Sequence, residues 1–403
     1  MKKRILLFTI AYKPYIGGAE IAIEELVKRM PDIHFDIITP RYSATIPAVE
    51  IDENVTIHRV GWTTKKPVKN MKLGFFVGLN KIFFPLTSCL YIRKIKKEKE
   101  FDIVWSMMAN YAGFATLFYK YLHKDIPYLL SLQEGDFDAR AAKKVRFIKP
   151  VFKQIFTQAD RIQVLSLYLE KWARDIGYEG EVDIIPNGVD IEKFNVDLSR
   201  SEREKIRSKM VTTFDLDDTI LVTTGRLVHK NGIDTLIRSM NYFSHDTQLV
   251  ILGEGPMEKE YKKLAKEIPH NRVHFLGSVP NDLIPMYLKA SDIFVRASRS
   301  EGQGISFIEA MTARVPVVAT PVGGIVDFIH DPRDVSHKAT GLFATVNDPE
   351  SIAEKTTTYL YDDMLREMIV DNAEQLTKEK YNWDAIAVSM HDLFNTMMND
   401  KKN

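Results

Sequence analysis

Residues 291–310 read SDIFVRASRSEGQGISFIEA. An apolar run at 292–295 leads into a polar loop with two glycines, and helical periodicity starts near Gly304. A strand without polar alternation is one covered on both faces, so strand, glycine loop and helix together mark a doubly wound sheet. Glu301 falls in the loop, and Glu309 lies about one and a half turns into the helix at 3.6 residues per turn. The amides of Gly304, Ile305 and Ser306 open that helix without intrahelical acceptors. They suit phosphate or sugar oxygens, Glu301 suits sugar hydroxyls, and Glu309 suits a pair of ribose hydroxyls. Any helix favours acid at its N-terminus. That accounts for Glu301, but not for Gly302, Gly304 and an acid at the otherwise apolar position 309.

Outward from this stretch the rhythm repeats. Strands are expected at 219–224, 247–252, 272–276, 292–295 and 315–319, with helices at 232–243, 256–268, 281–289, 304–312 and 349–372. The first half has strands at 4–10, 33–39, 55–60, 101–106, 126–132, 160–165 and 181–185, with helices such as 19–30 and 112–123. This order predicts two α/β units, each a largely parallel sheet flanked by helices. A chain of 403 residues is long enough for two domains. The run around 383–397 lies beyond the second sheet and is compatible with packing on either.

Ligands of such sheets bind beyond the carboxyl ends of the strands. After the first strand comes YKPYIGGAE, where Gly17 and Gly18 precede a helix and allow close backbone approach to an anion. After 219–224 comes GRLVHKNG, whose Arg226 and Lys230 suit a diphosphate. LGEGPM (252–257) is a further strand-end turn, and VHFLGSV places Gly277 and Ser278 where backbone groups can read a base edge.

Composition excludes several classes. With 45% apolar and 27% charged residues the chain reads as globular, and its net charge of +1 shows no overall bias toward nucleic acid. Cys89 is the single cysteine, so no internal disulfide or cysteine zinc site forms, which favours a reducing, cytoplasmic compartment. The basic start with its short apolar run mimics a secretory signal, but Lys13 and Pro14 follow instead of a cleavage site, and 4–10 reads as a buried strand. Residues 73–92 are the best candidate for a membrane span, and Asn80, Lys81 and Pro85 argue against one. DFD at 136–138 invites a hard-cation reading, but the same pattern recurs as DLD at 215–217 and no metal is expected. His270 and His274 straddle a turn and a strand and read as structural.

The motifs GRLVHKNG, GEGP, VHFLGSV, SEGQGISFIEA and TPVGG, together with IPNGVDIEKF, stand in the order and spacing of family 4 glycosyltransferases of the GT-B fold. The chain resembles that family over most of its length, most specifically over 185–345. The resemblance implies an α/β architecture of two doubly wound Rossmann-like domains facing across a cleft. Residues 1–190 would be the acceptor side and 191–378 the donor-binding side, with 379–403 a helix crossing back to the first domain. It implies retaining transfer of a hexose from a UDP-, GDP- or ADP-sugar to a hydroxyl acceptor, without cofactor or metal. Arg, Lys and helix dipoles carry the electrostatic stabilisation instead. By the same resemblance Glu301 meets the donor sugar and Glu309 the ribose. Arg226 and Lys230 neutralise the leaving diphosphate, and Gly17 and Gly18 lie near the phosphates. A nucleotide-sugar epimerase and a non-catalytic nucleotide-sugar-binding subunit are the alternatives.

One segment departs from the family pattern. Many relatives carry a histidine after the strand ending near Leu132, where this chain reads QEGD (133–136). Gln133 or a backbone carbonyl is a candidate for the hydrogen bond to the donor sugar, and Asp136 or Glu134 for orienting the acceptor. Residues 65–97 carry nine Lys or Arg and no acid, interleaved with Phe75, Phe76, Phe83, Phe84 and Tyr91. A second basic and aromatic run spans 140–156. This is the pattern of an interfacial helix on anionic lipid. It points to peripheral contact with the inner face of the cytoplasmic membrane and to a glycan or lipid-linked acceptor in envelope polysaccharide, glycolipid or glycoprotein assembly. Single-stranded nucleic acid ranks lower, since no RNA-binding module accompanies the runs.

Overall fold

Apolar runs that lack polar alternation need cover on both faces, and the computed structural model places them in two separate sheets. It describes residues 2–15, 17–63, 75–95, 100–133, 149–211, 215 and 217–400. One compact unit comprises residues 1–187 with 383–403, and the other residues 188–382.

The first unit holds β1 (Lys3–Phe8), β2 (Ile33–Pro40), β3 (Val49–Asp52), β4 (Val55–Val60), β5 (Ile103–Met107), β6 (Tyr128–Leu132), β7 (Arg161–Val164) and β8 (Glu181–Ile184). Their order is β3-β4-β2-β1-β5-β6-β7-β8, and every pairing is parallel except β3 with β4. Alternate residues of β1 feed two cores. Ile5 and Leu7 join one cluster, and Leu6 and Phe8 the other.

The edge strand β3 is absent from the strands expected above. Its VEID sequence leaves Val49 and Ile51 exposed, so it lacks the buried pattern by which the other strands show themselves. A tight turn makes it a strand. Glu53 takes a positive φ of 50°, and the buried Asn54 donates from Nδ2 to the carbonyls of Val27, Met30 and Ile33.

The second unit holds β9 (Thr219–Thr224), β10 (Thr247–Leu252), β11 (Val273–Gly277), β12 (Ile293–Arg296), β13 (Val317–Ala319) and β14 (Leu342–Phe343), in the order β11-β10-β9-β12-β13-β14. All its pairings are parallel. The strand order reverses between β1 and β5 in the first sheet and between β9 and β12 in the second. Such reversals open the crevices in which ligands of these folds bind.

The helix expected over 349–372 is two helices, Pro349–Tyr361 and Asp363–Lys380. Asp362 breaks it by leaving helical geometry (φ −122°, ψ 83°), and its carboxylate accepts from the Leu365 amide at 2.9 Å. The last helix, Trp383–Asp400, packs in the first unit, with Phe394 5.3 Å from Trp105 and 6.3 Å from Phe35 between ring centres. Arg29 with Asp384 and His391 with Asp32 fasten its outer edge.

Phe75–Ile95 is a helix with Pro85 inside it. Val77, Asn80, Phe84, Ser88 and Ile92 form its buried side, and Ile82, Phe83, Leu86 and Leu90 are exposed. Among the described residues no helix is long and apolar enough to cross a membrane.

Candidate functional site

The loops after β9 and β12 flank the reversal of the second sheet, and backbone contact joins them. Gly232 has φ +64°, and a Cβ there would stand 1.7 Å from the Ala297 carbonyl oxygen. Only glycine fits, because the obstacle is main chain. Arg299 then fastens one loop to the other. Its amide donates to the Lys230 carbonyl at 2.6 Å, and Nη1 donates to the His229 carbonyl at 2.6 Å. Its guanidinium also forks onto Asp234 with two bonds of 2.8 Å. Burial works to raise the Asp234 carboxyl, but the Arg299 hydrogen bonds and charge outweigh it, and its pKa lies below the ordinary value. Asn231 donates to the Arg226 carbonyl at 2.6 Å. The backbones of Arg226 and Lys230 are thus held, while the Arg226 side chain is exposed and Lys230 is half-buried.

At the end of β12 lies Arg296, which the sequence reading did not single out. It is 7% exposed. Its Nη2 donates to Glu301 Oε2 at 3.0 Å, its Nη1 to Ser306 Oγ at 2.6 Å, and its guanidinium lies 5.7 Å from the centre of the Phe307 ring. One oxygen of Glu301 and the Ser306 hydroxyl are therefore engaged within the protein. The signal was present in the sequence, as a cation at the last position of an apolar strand five residues before Glu301. The Glu301 carbonyl accepts from the Gly324 amide at 3.1 Å, and a Cβ at Gly323 (φ +57°) would sit 2.0 Å from that same oxygen. TPVGG is thereby laid on the backbone of Glu301. Gly302 is buried beside it. Gly304 (φ +95°) starts the helix Ile305–Thr312, and no side chain caps it.

Glu309 projects from that helix half-buried. Burial pushes its carboxyl up to about 7, against the pull of the Lys193 and Arg296 charges. Lys193 was also absent from the candidates. It comes from the short helix Ile191–Phe194, within IPNGVDIEKF.

Gly277 (φ +70°) and Ser278 close β11. The Gly277 carbonyl accepts from the Gly253 amide at 2.7 Å, and the Ser278 amide faces Glu254 Oε1 at 3.4 Å. In the first unit, Gly17 is the N-cap and Gly18 the first residue of the helix Gly18–Lys28, beyond β1. Gln133, beyond β6, exchanges amide hydrogen bonds with Asn187 at 2.7 and 3.4 Å. Glu134, Asp136 and the DFD triplet lie outside the described residues. His274 bonds Gln248 at 3.0 Å, and burial lowers its pKa.

Two family models match consecutive parts of the chain. Glycosyltransferase Family 4 matches residues 16–193, and Glycosyl transferases group 1 matches 204–376. The chain belongs to the family 4 glycosyltransferases. An uncharacterized glycosyltransferase of Methanocaldococcus jannaschii is 34% identical over 223 residues, 55% of each chain. A second from the same organism is 25% identical over 392 residues, 96% of this chain and 97% of its own. The chain thus spans about half of the one relative and nearly all of the other. Among solved structures, sucrose-phosphate synthase from Thermosynechococcus elongatus has a TM-score of 0.81 at 20% identity, covering 99% of this chain and 100% of that one. The Anabaena protein HepE in complex with UDP-glucose has a TM-score of 0.75 at 19% identity, covering 98% and 99%. These likenesses show the GT-B fold.

Within the family 4 frame, the second unit groups its candidate residues at one end of one sheet. Arg226, Lys230, Glu301 and the helix start at Gly304 are joined through Arg299 and Arg296 rather than scattered over separate loops. Such an array can hold a dianion and a polyol side by side. Cations and open amides take the charge, and carboxylates take the hydroxyls.

Proposed function

We propose that this chain transfers a hexose, with retention of anomeric configuration, from a nucleoside-diphosphate sugar to a hydroxyl acceptor. The coupling of GRLVHKNG to SEGQG by Arg299 and Gly232 supports this reading, since it ties the loop that carries Arg226 and Lys230 to the loop that carries Glu301. In the proposed chemistry, Arg226 and Lys230 neutralise the pyrophosphate as the glycosidic bond to it breaks. The amides of Ile305 and Ser306 add their dipoles at the same charge. Glu301, held by Arg296, accepts from donor-sugar hydroxyls. Glu309 accepts from the ribose, and Gly277 and Ser278 read the base. Gly17 and Gly18 are assigned to the donor phosphates, and Gln133 or Asp136 to the acceptor.

We further propose a glycan or lipid-linked acceptor presented at an anionic membrane surface. Ile82, Phe83, Leu86 and Leu90 form an exposed apolar stripe beside Lys81, Arg93 and Lys94 on the helix Phe75–Ile95, with Trp62 edge-on to Phe83 at 5.4 Å. Each cation near such a surface contributes about 1 kcal/mol.

The test is incubation with UDP-, GDP- and ADP-sugars, with and without polyprenyl- or diacylglycerol-linked sugars, read by NMR. Transfer with an unchanged anomeric descriptor supports the reading, and conversion of the donor without an acceptor points to epimerisation instead. Co-sedimentation with anionic vesicles that weakens with salt tests the surface contact, and its absence at low salt removes that contact.

A further inference from the structure

Away from these loops, the second unit carries a segment that the reading above leaves unused. HDPRDVSH (330–337) runs between the turn Gly323–Asp327 and β14. Its base is pinned by a reciprocal pair of bonds, His330 amide to Thr340 Oγ1 at 2.9 Å and Thr340 amide to the His330 carbonyl at 2.9 Å. From that base the chain loops out far enough to leave Val335 97% exposed, then returns His337 to His330. The two imidazoles stack at 4.1 Å with their planes 10° apart. Both present Nδ1 to the same oxygen, Oδ2 of Asp334, at 2.8 Å from His337 and 3.8 Å from His330.

We infer that His330, Asp334 and His337 form a binding site for one divalent transition-metal ion of the zinc type. Their ligand atoms all lie within 4.8 Å of one another. An ion bound tetrahedrally at 2.0–2.1 Å sets its ligand atoms about 3.3 Å apart. The separations of 2.8 and 3.8 Å bracket that spacing, so small side-chain rotations would admit the ion. Two imidazoles and one carboxylate suit zinc, nickel or copper better than magnesium or calcium, which prefer all-oxygen shells. Three protein ligands leave a fourth position for water.

Arg333, next to Asp334 in sequence, is taken by Asp331 through bonds of 2.6 and 3.1 Å, while Lys338 beside His337 and Lys380 near His330 are positive charges that a bound ion would have to offset. Asp331 is itself committed to Arg333 and the Phe343 amide, so Asp334 is the carboxylate left facing the rings. His330 and Asp334 line an open surface groove, so an ion reaches them from solvent. Bound there, it would close the loop from 330 to 337 and restrain a segment that adjoins the turn resting on Glu301. The site stands apart from the proposed transfer chemistry and does not depend on it.

The experiment uses the full chain after chelator treatment and dialysis. Zinc chloride alone is titrated by calorimetry, cobalt chloride is followed by visible absorption, and melting is followed with and without each metal. One zinc per chain, the intense visible bands of four-coordinate cobalt and a raised Tm are expected, with magnesium leaving Tm unmoved. His337 is exposed, so His337→Ala leaves the packing alone. Loss of outer-shell partners already weakens metal sites about 10–100-fold, so removal of a ligand should weaken zinc by at least roughly 100-fold. Asp334→Asn should act likewise, and His245→Ala, exposed elsewhere in the unit, should bind as the unaltered chain does. Absence of saturable zinc binding at millimolar metal, or full binding in a His330→Ala/His337→Ala double variant, overturns the inference and leaves a hydrogen-bonded histidine pair only.

Discussion

Glycines sit beyond strand ends in both units, for different physical reasons. In the second unit they are demanded by the protein itself. Added Cβ atoms at Gly232, Gly253 and Gly323 would fall 1.7, 1.9 and 2.0 Å from carbonyl oxygens of Ala297, Gly225 and Glu301, and each residue has positive φ. In the first unit, a Cβ at Gly18 meets nothing within 4 Å, and one at Gly17 meets only the movable Glu20 carboxylate. Gly17 has φ −144°, which any residue adopts. The second set builds the site by letting loops touch. The first set makes no such contact with main chain, and its proposed use is to leave room for a ligand.

Substitutions can break or sharpen that contrast. Gly232→Ala should cost the most. It forces a clash with main chain at a left-handed position, and losses above about 4 kcal/mol mark such mechanisms. A drop in Tm of roughly 10 °C or more is expected for a unit of this size, and an unmoved melt would erase the distinction. Lys230→Ala should leave Tm unchanged while lowering kcat by about 10²–10³, the loss typical of removing one preorganised stabiliser of transition-state charge. Near-normal turnover in that variant would count against the diphosphate role.

Glu309 supplies an effect of pH. Its folded pKa of about 7 stands above the ordinary 4.5 because of burial. Between those values the folded chain holds a proton that the unfolded chain has lost, so this group's contribution to stability falls as pH rises from about 4.5 to about 7. Donor binding should move the opposite way, since the ionised carboxylate is the better acceptor for two ribose hydroxyls. Glu309→Gln should flatten both profiles across that window, by melting and by titration calorimetry with nucleotide. Persistence of both slopes in the variant would assign them elsewhere. Gly18→Ala should be the mildest. A glycine-to-alanine change at a compatible site stabilises by about 0.4–1 kcal/mol, so Tm should hold or rise slightly while KM for the donor increases. An unchanged KM would mean that the open space at Gly18 serves no ligand.

How much could be read in advance follows the same division between local and distant. The two doubly wound α/β units read from buried strands and glycine loops are observed, and the GT-B fold that the resemblance implied is the one shared with the solved structures. Strands such as 219–224 and 247–252 match to the residue because they are covered on both faces. β3 escaped because an exposed edge strand lacks that pattern, and the helix break at Asp362 because a capping aspartate also reads as an ordinary surface residue. At the candidate site, the loop glycines and Glu301 announced themselves by type and position. Arg296 and Lys193 did not, because their relevance lies in what they face. Asp136 and the basic stretches 64–74 and 140–148 fall outside the described residues.

The sequence by itself determined two α/β units and the strand ends from which the loops spring, and its motifs carried the resemblance to the family. These depend on periodicity, turn residues and spacing, all written within a few neighbouring positions. Only the tertiary structure decided that Trp383–Asp400 packs beside Trp105, that Arg299 ties Lys230 to the loop of Glu301, that burial lifts the Glu309 carboxyl, and that His337 returns to His330. Each of these joins groups that pattern cannot bring together, because distance in space and exclusion of water arise only once the chain has folded.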